Sequence, residues 1–482
     1  MYLGLDIGTS SIKALLLDRD MRFVATASQA LTVQRPCEGW SEQDPKSWCD
    51  AIETVMGSLR SQAPQALSEV LSIGLSGQMH GLVALDENHD ILRPAILWND
   101  ARNEAEAKEL DTTITAFRAI GGNAVMPGFT APKALWMARH EPDLFDKIHM
   151  ILLPKDYVRF WLSGEMLTDM SDASGTLWMD TSHRTYSDEL LSHCHLRPDQ
   201  VPELREGHQA AGQLKPELAT KWGMKGAPVI AGGGDNASAA CGLGVVNAGD
   251  AFLSLGTSGV VFAVTDHFAP SADNGAHAFC HALSHKWHQM GVILSATDSL
   301  NWLSEMTGQT VSQLAKGAAS IDIHSAQIYF HPYLSGERTP HNDAHARGGF
   351  FQLSRAHGTG HMAFAVLEGV AYALADCVDV LSQAGSPLTE VIATGGGAKN
   401  AQWLQMIADI TSVRIAVPVS GDFGAALGAA RLGALATGRR EEDILTKPEI
   451  AHIYEPRADL FEIYAARRSR WQSLFHTIKD IV

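Results

Sequence analysis

The fold can be predicted from Leu3-Gly-Leu-Asp-Ile-Gly-Thr-Ser-Ser-Ile-Lys-Ala-Leu-Leu-Leu-Asp18. Its pattern returns in the second half of the chain as Ala251-Phe-Leu-Ser-Leu-Gly-Thr-Ser-Gly-Val-Val-Phe-Ala-Val-Thr-Asp266. Each copy contains an apolar run, a Gly-Thr-Ser turn, a second apolar run and an aspartate, which predicts a β-hairpin. Recurrence of the whole unit in register indicates an internal duplication.

Two further segments support the duplication, because they follow in the same order. Val391-Ile-Ala-Thr-Gly-Gly-Gly-Ala-Lys-Asn400 resembles Val229-Ile-Ala-Gly-Gly-Gly-Asp-Asn236. The small-residue run Asp422-Phe-Gly-Ala-Ala-Leu-Gly-Ala-Ala430 resembles the run that follows Asp235. Helices made of small residues can approach one another closely, so we expect this pair to cross where the two halves meet and to form a hinge.

Strand and helix patterns alternate throughout the chain, which predicts an α/β fold. A chain of 482 residues is longer than one core usually organises, so two domains are expected. We place the first domain at residues 1–246 and the second at residues 247–482. The segment from about residue 447 to residue 482 is predicted to be an amphipathic helix with Arg467, Arg468 and Arg470 on its polar face.

The composition excludes several classes of partner and location. A formal net charge of −17 argues against nucleic acid or an anionic membrane as a partner, because both carry negative charge. The six cysteines show no Cys-x-x-Cys spacing, which favours reduced thiols and a cytoplasmic location. The N-terminus does not have the pattern of a signal peptide, and no apolar run approaches the roughly 20 residues that span a bilayer.

The turn Gly232-Gly-Gly-Asp-Asn236 follows a short apolar run and precedes a run of small residues. Its glycines allow a tight turn and a close approach of the backbone to a ligand. Asp235 is open to two interpretations: it caps the following helix, or its carboxylate faces a ligand. Taken alone, this turn favours neither.

Two Gly-Thr-Ser turns that face each other across a cleft would present N–H and hydroxyl donors to a polyphosphate. Gly395-Gly-Gly-Ala-Lys-Asn400 could accept a flat base against bare backbone. The hairpins differ in one informative place, since Asp6 in the first is replaced by Ser254 in the second. A carboxylate in one copy only suits a single Mg²⁺ site beside a phosphate, although a turn aspartate can also bond its own backbone. The role of Lys13 is left open between phosphate neutralisation and solvent exposure.

Seven motifs together carry a resemblance to a known family. They are Asp6-Ile-Gly-Thr-Ser10, Gly77-Gln-Met-His-Gly81, Trp98-Asn-Asp-Ala-Arg102, Met126-Pro-Gly-Phe-Thr-Ala-Pro-Lys133, Gly232-Gly-Gly-Asp-Asn236, Leu255-Gly-Thr-Ser-Gly259 and Pro332-Tyr-Leu-Ser-Gly-Glu-Arg-Thr-Pro-His341. From end to end the chain resembles the carbohydrate kinases named for a Phe-Gly-Gly-Tyr motif, within the actin-like ATPase superfamily. The resemblance implies two actin-like (ribonuclease H-like) domains related by duplication, with a cleft and a hinge between them.

The resemblance also implies roles for individual residues. Asp235 would be the catalytic general base, and Asp6 would help to position Mg²⁺, through water. The remaining implied contacts are Met79, His80, Asp235 and Asn236 for the sugar, Thr9, Ser10, Thr257 and Ser258 for the phosphates, and Gly396, Gly397 and Asn400 for adenosine. One departure is Gln352, which stands where the family usually has glycine, so a local difference in that loop is expected.

Met79-His80 and the loop 332–341 are similar to the branch of the family that phosphorylates xylulose. The resemblance therefore implies an ATP- and Mg²⁺-dependent kinase acting on D-xylulose, and a homodimer. A sister kinase for ribulose, gluconate or glycerol is the nearest alternative. An actin-like ATPase switch is the alternative from another class, and it would need no sugar pocket between its lobes.

Overall fold

Two seven-stranded sheets, one in each half of the chain, organise the protein. The computed structural model describes residues 1–324, 326–419 and 424–478. The first sheet contains β1 (Tyr2–Ile7), β2 (Ser11–Leu17), β3 (Phe23–Ala30), β4 (Ser72–Gly77), β5 (Ala210–Gln213), β6 (Pro228–Ile230) and β7 (Gly233–Gly234). The second contains β8 (Ala251–Leu255), β9 (Gly259–Thr265), β10 (His277–Cys280), β11 (Trp287–Ile293), β12 (Glu390–Thr394), β13 (Arg414–Pro418) and β14 (Ile450–Tyr454).

Helices and short strand pairs surround the sheets. The first half has α-helices Pro45–Gln62, Pro64–Ser68, Glu104–Thr113, Thr130–His140, Pro142–Phe145, Pro154–Ser163, Met170–Ser174, Asp188–His193, Pro216–Trp222 and Asp235–Leu243. The second half has Thr297–Thr307, Val311–Ala319, Thr359–Gln383, Ala401–Thr411, Gly424–Leu435, Glu441–Ile444 and Phe461–Ile478. Short pairs join Glu42–Gln43 to Ala95–Ile96, Val83–Leu85 to Met150–Leu152, Leu167–Asp169 to Glu203–Arg205, Met179–Asp180 to Thr185–Tyr186, and Tyr329–His331 to Gly349–Phe351. Within these described residues, no helix is long and apolar enough to cross a membrane.

The two sheets share one topology, which confirms the duplicated α/β fold. In the first, β3, β2 and β1 pair antiparallel, and β4 and β6 continue the sheet parallel to β1. In the second, β11, β9 and β8 pair antiparallel, and β12 and β13 continue it in parallel. The predicted hairpins are therefore β1–β2 and β8–β9. The exact domain boundary, at residues 246 and 247, stays a prediction.

The sheet order corrects one of the three sequence echoes. β12, which begins the segment Val391 to Asn400, lies beside β8 and is thus the counterpart of β4, not of β6 as its glycines suggested. The counterpart of β6 is β13, and helix Gly424–Leu435 follows it as helix Asp235–Leu243 follows β6 and β7. The third echo is therefore correct for residues 424–430, whereas Asp422 lies outside the described residues.

The C-terminal segment also differs from its prediction. Residues 450–454 form β14, which pairs antiparallel with β13, because the open edge of β13 offers unpaired backbone groups. The helix begins only at Phe461, and part of its predicted polar face is an ion-pair interface. Arg467 donates two hydrogen bonds of 2.7 Å to Glu368, and Arg468 contacts Asp379 at 2.6 Å.

Gln352 keeps the left-handed backbone conformation that glycine adopts freely. Its φ is +61°, directly after the strand Gly349–Phe351. A residue with a Cβ meets a steric penalty of roughly 1–2 kcal/mol in this conformation. The departure from the family's glycine is therefore accommodated at a local cost.

The halves meet where two helices of small residues, Asp235–Leu243 and Gly424–Leu435, cross; we call these the crossing helices. A Cβ added to Gly428 would lie 1.7 Å from the carbonyl oxygen of Ser238, so the backbones are in direct contact. Helix Gly424–Leu435 also packs directly against the first sheet at Gly4 and Gly74, which are paired across β1 and β4. Added Cβ atoms there would lie 2.0 and 1.8 Å from helix carbonyl oxygens. The close crossing predicted from the sequence is confirmed.

This contact predicts that Gly428→Ala lowers the free energy of unfolding by about 3 kcal/mol, because the methyl group must push the crossing helices apart. The measurement is the shift in Tm by calorimetry. The matched control is Gly57→Ala in the exposed part of helix Pro45–Gln62, where an added Cβ meets no atom within 4 Å. That control should gain about 0.5–1 kcal/mol from higher helix propensity. Equal Tm values for the two variants would contradict the contact.

Candidate active site

Asp6 and Asp235 are brought together by the register of three parallel strands. Ser76 on β4 pairs with Asp6 on β1 and with Gly233 on β7. Asp235 follows β7 directly, so both carboxylates lie at the carboxyl ends of neighbouring strands. In open α/β sheets this edge is where ligands bind.

Asp235 is the first residue of its helix, and Gly234 occupies the N-cap position. Its Oδ1 accepts hydrogen bonds from the N–H and the side-chain amide of Asn236, at 2.7 and 2.9 Å. Among the described residues, both hydrogen bonds to the carboxylate fall on Oδ1, which leaves Oδ2 for a ligand. Burial raises the pKa of Asp235 to about 7, and the charge of Asp6 adds to this effect, while the bonds from Asn236 oppose it. This carboxylate can therefore either bind or release a proton near neutral pH. A residue that only caps a helix does not need this property.

Asp6 offers an oxygen without a protein partner. Its Oδ1 is buried and accepts no hydrogen bond from any residue that the structure describes. Burial raises the pKa of Asp6, and the charge of Lys13, its cross-strand neighbour, opposes the rise. Ser76 also favours the charged form, although its contact falls short of a full hydrogen bond. A buried carboxylate oxygen of this kind fits a hard cation or its bound water.

His80 is held in an unusual backbone conformation and in one tautomer. Its φ is +68°, and its carbonyl oxygen accepts hydrogen bonds from Lys133 Nζ at 2.8 Å and from the Thr130 hydroxyl at 3.2 Å. Nδ1 lies 2.8 Å from the carbonyl oxygen of Gly175, which can only accept, so Nδ1 carries the proton. Burial, with the charge of Lys133, lowers the pKa of His80 well below its usual value. The ring is thus neutral, and its Nε2, which carries no proton, can accept a hydrogen bond from a hydroxyl group.

Two glycines leave room for Met79 and His80: Gly234, in the turn that carries Asp235, contacts Met79, and Gly175, at the end of helix Met170–Ser174, contacts His80. A Cβ on Gly234 would lie 2.9 Å from Met79 Cγ, and one on Gly175 would lie 2.4 Å from His80 Nδ1. Met79 is buried, and the ring of His80 is 4.8 Å from that of Phe129. The structure therefore brings Met79, His80, Asp235 and their neighbour Asn236 to one corner.

The first Gly-Thr-Ser turn differs in detail from the expected phosphate site. The Thr9 hydroxyl donates to Gln78 Oε1 at 2.8 Å and accepts from Trp98 Nε1 at 3.0 Å. It is therefore engaged within the protein, so a phosphate contact of Thr9 would use its backbone N–H. Ser10 at the tip is exposed.

The second Gly-Thr-Ser turn is hydrogen-bonded to the beginning of helix Thr297–Thr307. The carbonyl oxygens of Gly256 and Thr257 accept N–H groups of Thr297 and Ala296, at 3.0 and 2.8 Å. Thr257 is exposed and Ser258 is half-buried. These two bonds fix the position of the turn relative to helix Thr297–Thr307.

The glycine segment after β12 divides into a surface and an anchor. Gly396 is exposed, and an added Cβ there would meet no atom within 4 Å. Gly397 is buried, and a Cβ on it would lie 2.8 Å from Leu255 Cβ. Asn400 caps helix Ala401–Thr411 by accepting the Trp403 N–H at 3.1 Å. Exposed backbone that could contact a flat ligand is thus present at Gly396. Gly397 packs against Leu255, and the Asn400 oxygen caps a helix.

Arg338, in the second half, lies at the cleft but was assigned no role in the sequence analysis. Its guanidinium lies 5.9 Å from the Trp98 ring, and its charge helps to lower the pKa of His80. Thr339 anchors this loop, because its hydroxyl donates to Gly275 and accepts the Val292 N–H. A cleft of about 570 Å³ between the halves has Trp98 on one wall and Arg338 on the other. The motif 332–341 drew attention to this loop, but its distance along the chain from Trp98 concealed the contact between Arg338 and Trp98.

Comparisons with known proteins show the family to which the chain belongs. Residues 1–242 match the FGGY family of carbohydrate kinases, N-terminal domain, and residues 251–437 match the C-terminal domain of that family. The chain is 46% identical to the xylulose kinase of Escherichia coli K12 over the full length of both proteins. It is 35% identical to that of Bacillus subtilis strain 168, covering 99% of this chain and 96% of the relative. A crystal structure described as a xyloylose kinase from Brucella ovis superposes with a TM-score of 0.96 at 48% identity, and each chain is fully covered.

The electrostatic coupling at this edge predicts that Asp6→Asn moves the pKa of Asp235 below about 7, because the charge of Asp6, which adds to the effect of burial, is removed. The measurement is a ¹³C NMR titration of aspartate carboxyl carbons, with the Asp235 signal identified by its loss in Asp235→Asn. Asp18→Asn, at the far end of β2, is the control and should leave the midpoint in place. An unchanged midpoint in Asp6→Asn would show that the two carboxylates do not interact.

Proposed function

The chain belongs to the FGGY family of carbohydrate kinases, and we propose that it transfers the γ-phosphoryl group of ATP to the terminal (5-) hydroxyl of D-xylulose. Its two domains have the actin-like, ribonuclease H-like fold of this family. The sugar is proposed from the xylulose kinases that match over the whole chain. The observation that carries the chemistry is the Asp235 carboxylate, whose Oδ2 accepts no hydrogen bond from the described residues and whose pKa is about 7.

In the proposed mechanism Asp235 is the general base. Asn236 fixes Oδ1, so Oδ2 is the atom that receives the proton from the sugar hydroxyl as this attacks phosphorus. A base whose pKa lies near the working pH combines a useful deprotonated fraction with sufficient basicity. In phosphoryl transfer most of the rate enhancement comes from positioning and charge stabilisation, so the fixed geometry matters as much as the proton transfer.

The sugar would lie between the neutral His80 ring and Asp235. His80 Nε2 would accept one sugar hydroxyl, because Nδ1 is committed to Gly175. Met79 would supply an apolar wall. Arg338, entering from the other half, would close the pocket on the side of Trp98. A pocket built from both halves is complete only when they are together, which would keep water from the phosphoryl group.

The nucleotide would lie along the two hairpin turns. We propose that Thr9, Ser10, Thr257 and Ser258 surround the phosphates, with Thr9 acting through its backbone N–H. We further propose that Gly396 supports adenosine, with Gly397 and the side-chain amide nitrogen of Asn400 beside it. Two turns that present donors from opposite sides would hold the polyphosphate in line with the sugar.

Mg²⁺ is proposed as the metal cofactor, held by Asp6 through water and otherwise by substrate phosphates. The unpartnered Oδ1 of Asp6 fits this role. Within the described residues no cluster of three or more His, Cys, Asp or Glu side chains could hold a metal, which agrees with an ion that takes few protein ligands. When bound, such an ion neutralises charge on the transferring group.

A cytoplasmic location and a homodimer stay predictions. All six cysteines are free, and five of them are buried, which suits a reducing compartment.

The proposed substrate is tested by coupled ATP turnover with a panel of sugars at matched concentrations. We expect D-xylulose to give the highest kcat/KM. A higher value for ribulose, gluconate or glycerol would assign the chain to a sister activity. Failure of every sugar to raise ADP release would contradict a sugar kinase and favour the actin-like ATPase switch.

The role of Asp235 predicts that kcat/KM for the sugar rises with pH through about 7, because only the deprotonated carboxylate accepts a proton. Asp235→Asn should lose this dependence and about 10²- to 10⁴-fold of kcat, the usual contribution of a general base. Its affinity for ATP, measured by calorimetric titration, should remain.

Asp188→Asn is the matched control, because Asp188 is also the first residue of a helix in the same half and is exposed. It should retain full activity and the wild-type pH profile. Equal kcat in Asp235→Asn and Asp188→Asn would mean that Asp235 only supports its helix.

A further inference from the structure

A buried cluster of charged side chains lies behind the turn that carries Asp235. It consists of Lys155, Asp156, Arg159, Asp169 and Asp172, whose side chains are all 0% exposed. Lys155 Nζ is 2.5 Å from Asp156 Oδ1 and 2.9 Å from Asp169 Oδ1. Burying charges costs free energy even when they are paired, so such a cluster is weak evidence for stability alone. We therefore asked what its members hold in place.

The cluster binds the start of the turn. The carbonyl oxygen of Ala231 accepts hydrogen bonds from Arg159 NH1 at 2.9 Å and from Lys155 Nζ at 3.4 Å. Ala231 is the residue between β6 and the three glycines of the turn. Two cationic donors on one carbonyl group fix the direction in which the chain leaves the sheet.

Ser171 connects the same cluster to the end of the turn. Its hydroxyl donates to Asp169 Oδ2 at 2.5 Å, and its oxygen accepts the N–H of Gly234 at 3.0 Å. The direction follows from chemistry, because an ionised carboxylate only accepts and an N–H only donates. Gly234 immediately precedes Asp235. Ser171 is therefore bonded to the residue next to the proposed base, although Ser171 and Asp235 are far apart in the sequence.

We propose that Ser171 is a positioning residue for phosphoryl transfer, which joins the buried ion cluster to the Gly234 N–H and so fixes the carboxylate of Asp235. This rests on the proposed function. The helix Met170–Ser174 does not need Ser171 for its cap, since Asp169 already accepts the N–H groups of residues 171 and 172.

Loss of this connection should change both the position and the solvation of the base. A misplacement of about 1 Å can cost roughly 10²-fold in rate. A loosened turn would also admit water, and burial is the main reason that the pKa of Asp235 is near 7. Its pKa should therefore fall towards the ordinary value. The charged neighbours of Asp235 on other elements are Asp6 on β1 and Asp172 on helix Met170–Ser174. The substitution Ser171→Ala changes neither of them.

The test compares Ser171→Ala with Ser174→Ala. Ser174 is a matched control: it is in the same helix, is buried, and its hydroxyl donates to Met170 and accepts the Cys280 N–H, at 2.7 and 3.1 Å. Its hydroxyl makes no contact with the turn among the described residues. We expect Ser171→Ala to lose about 10²-fold in kcat, with KM for ATP unchanged. The rise of its kcat/KM with pH should begin at lower pH, whereas Ser174→Ala should keep the wild-type midpoint even if its Tm falls.

A ¹³C NMR titration of Asp235 provides a second measurement that needs no turnover. A midpoint lower in Ser171→Ala than in wild type and in Ser174→Ala supports the proposal. The same midpoint and the same kcat in both variants would overturn it and leave Ser171 as a packing residue. If the wild type phosphorylates no sugar, the proposed function fails, and the NMR titration still decides whether Ser171 positions the carboxylate.

Discussion

The close crossing of helices Asp235–Leu243 and Gly424–Leu435, backbone against backbone, holds the two halves of the chain together. Gly242, Gly424 and Gly428 leave no side chain between them, and Gly4 and Gly74 extend the same contact to the first sheet. Arg431 adds a polar bond to this interface by donating to the carbonyl groups of Cys241 and Gly242 at the end of the first helix. The helix that begins with the proposed base is therefore fixed along its length by the opposite half of the chain.

The proposed function gives the same topological position a different ligand in each half. The turn after β4 carries Met79 and His80, and the turn after β12 carries Gly396 and Asn400, although the two strands are counterparts. In the first, Lys133 binds the carbonyl oxygen of His80, whose backbone is left-handed. In the second, bare backbone is exposed at Gly396. Under this proposal, one duplicated framework would supply hydrogen-bonding groups for a sugar on one side and a flat surface for a base on the other.

Much of this could be predicted from the sequence, because the informative patterns are local. The hairpins β1–β2 and β8–β9, the small-residue helices and the carboxylates at strand ends all follow from residues adjacent in the chain. What could not be predicted depends on sheet order or long-range contact. The glycine runs at Gly232 and Gly395 look alike, but only the strand pairing shows that they are not counterparts. Two contacts join segments that are far apart in the sequence: the Gly234 N–H donates to Ser171, and Arg338 lies beside Trp98. The spacing of these residues along the chain does not predict either contact.

The close crossing also limits how the two copies could diverge after duplication. Where backbone meets backbone, as at Gly242 and Gly428, any larger residue would force the helices apart, so these positions are restricted by geometry. Turns at the strand ends tolerate new residues more readily. New substrate preferences in this architecture would thus arise by exchanging turns around an interface that itself cannot change.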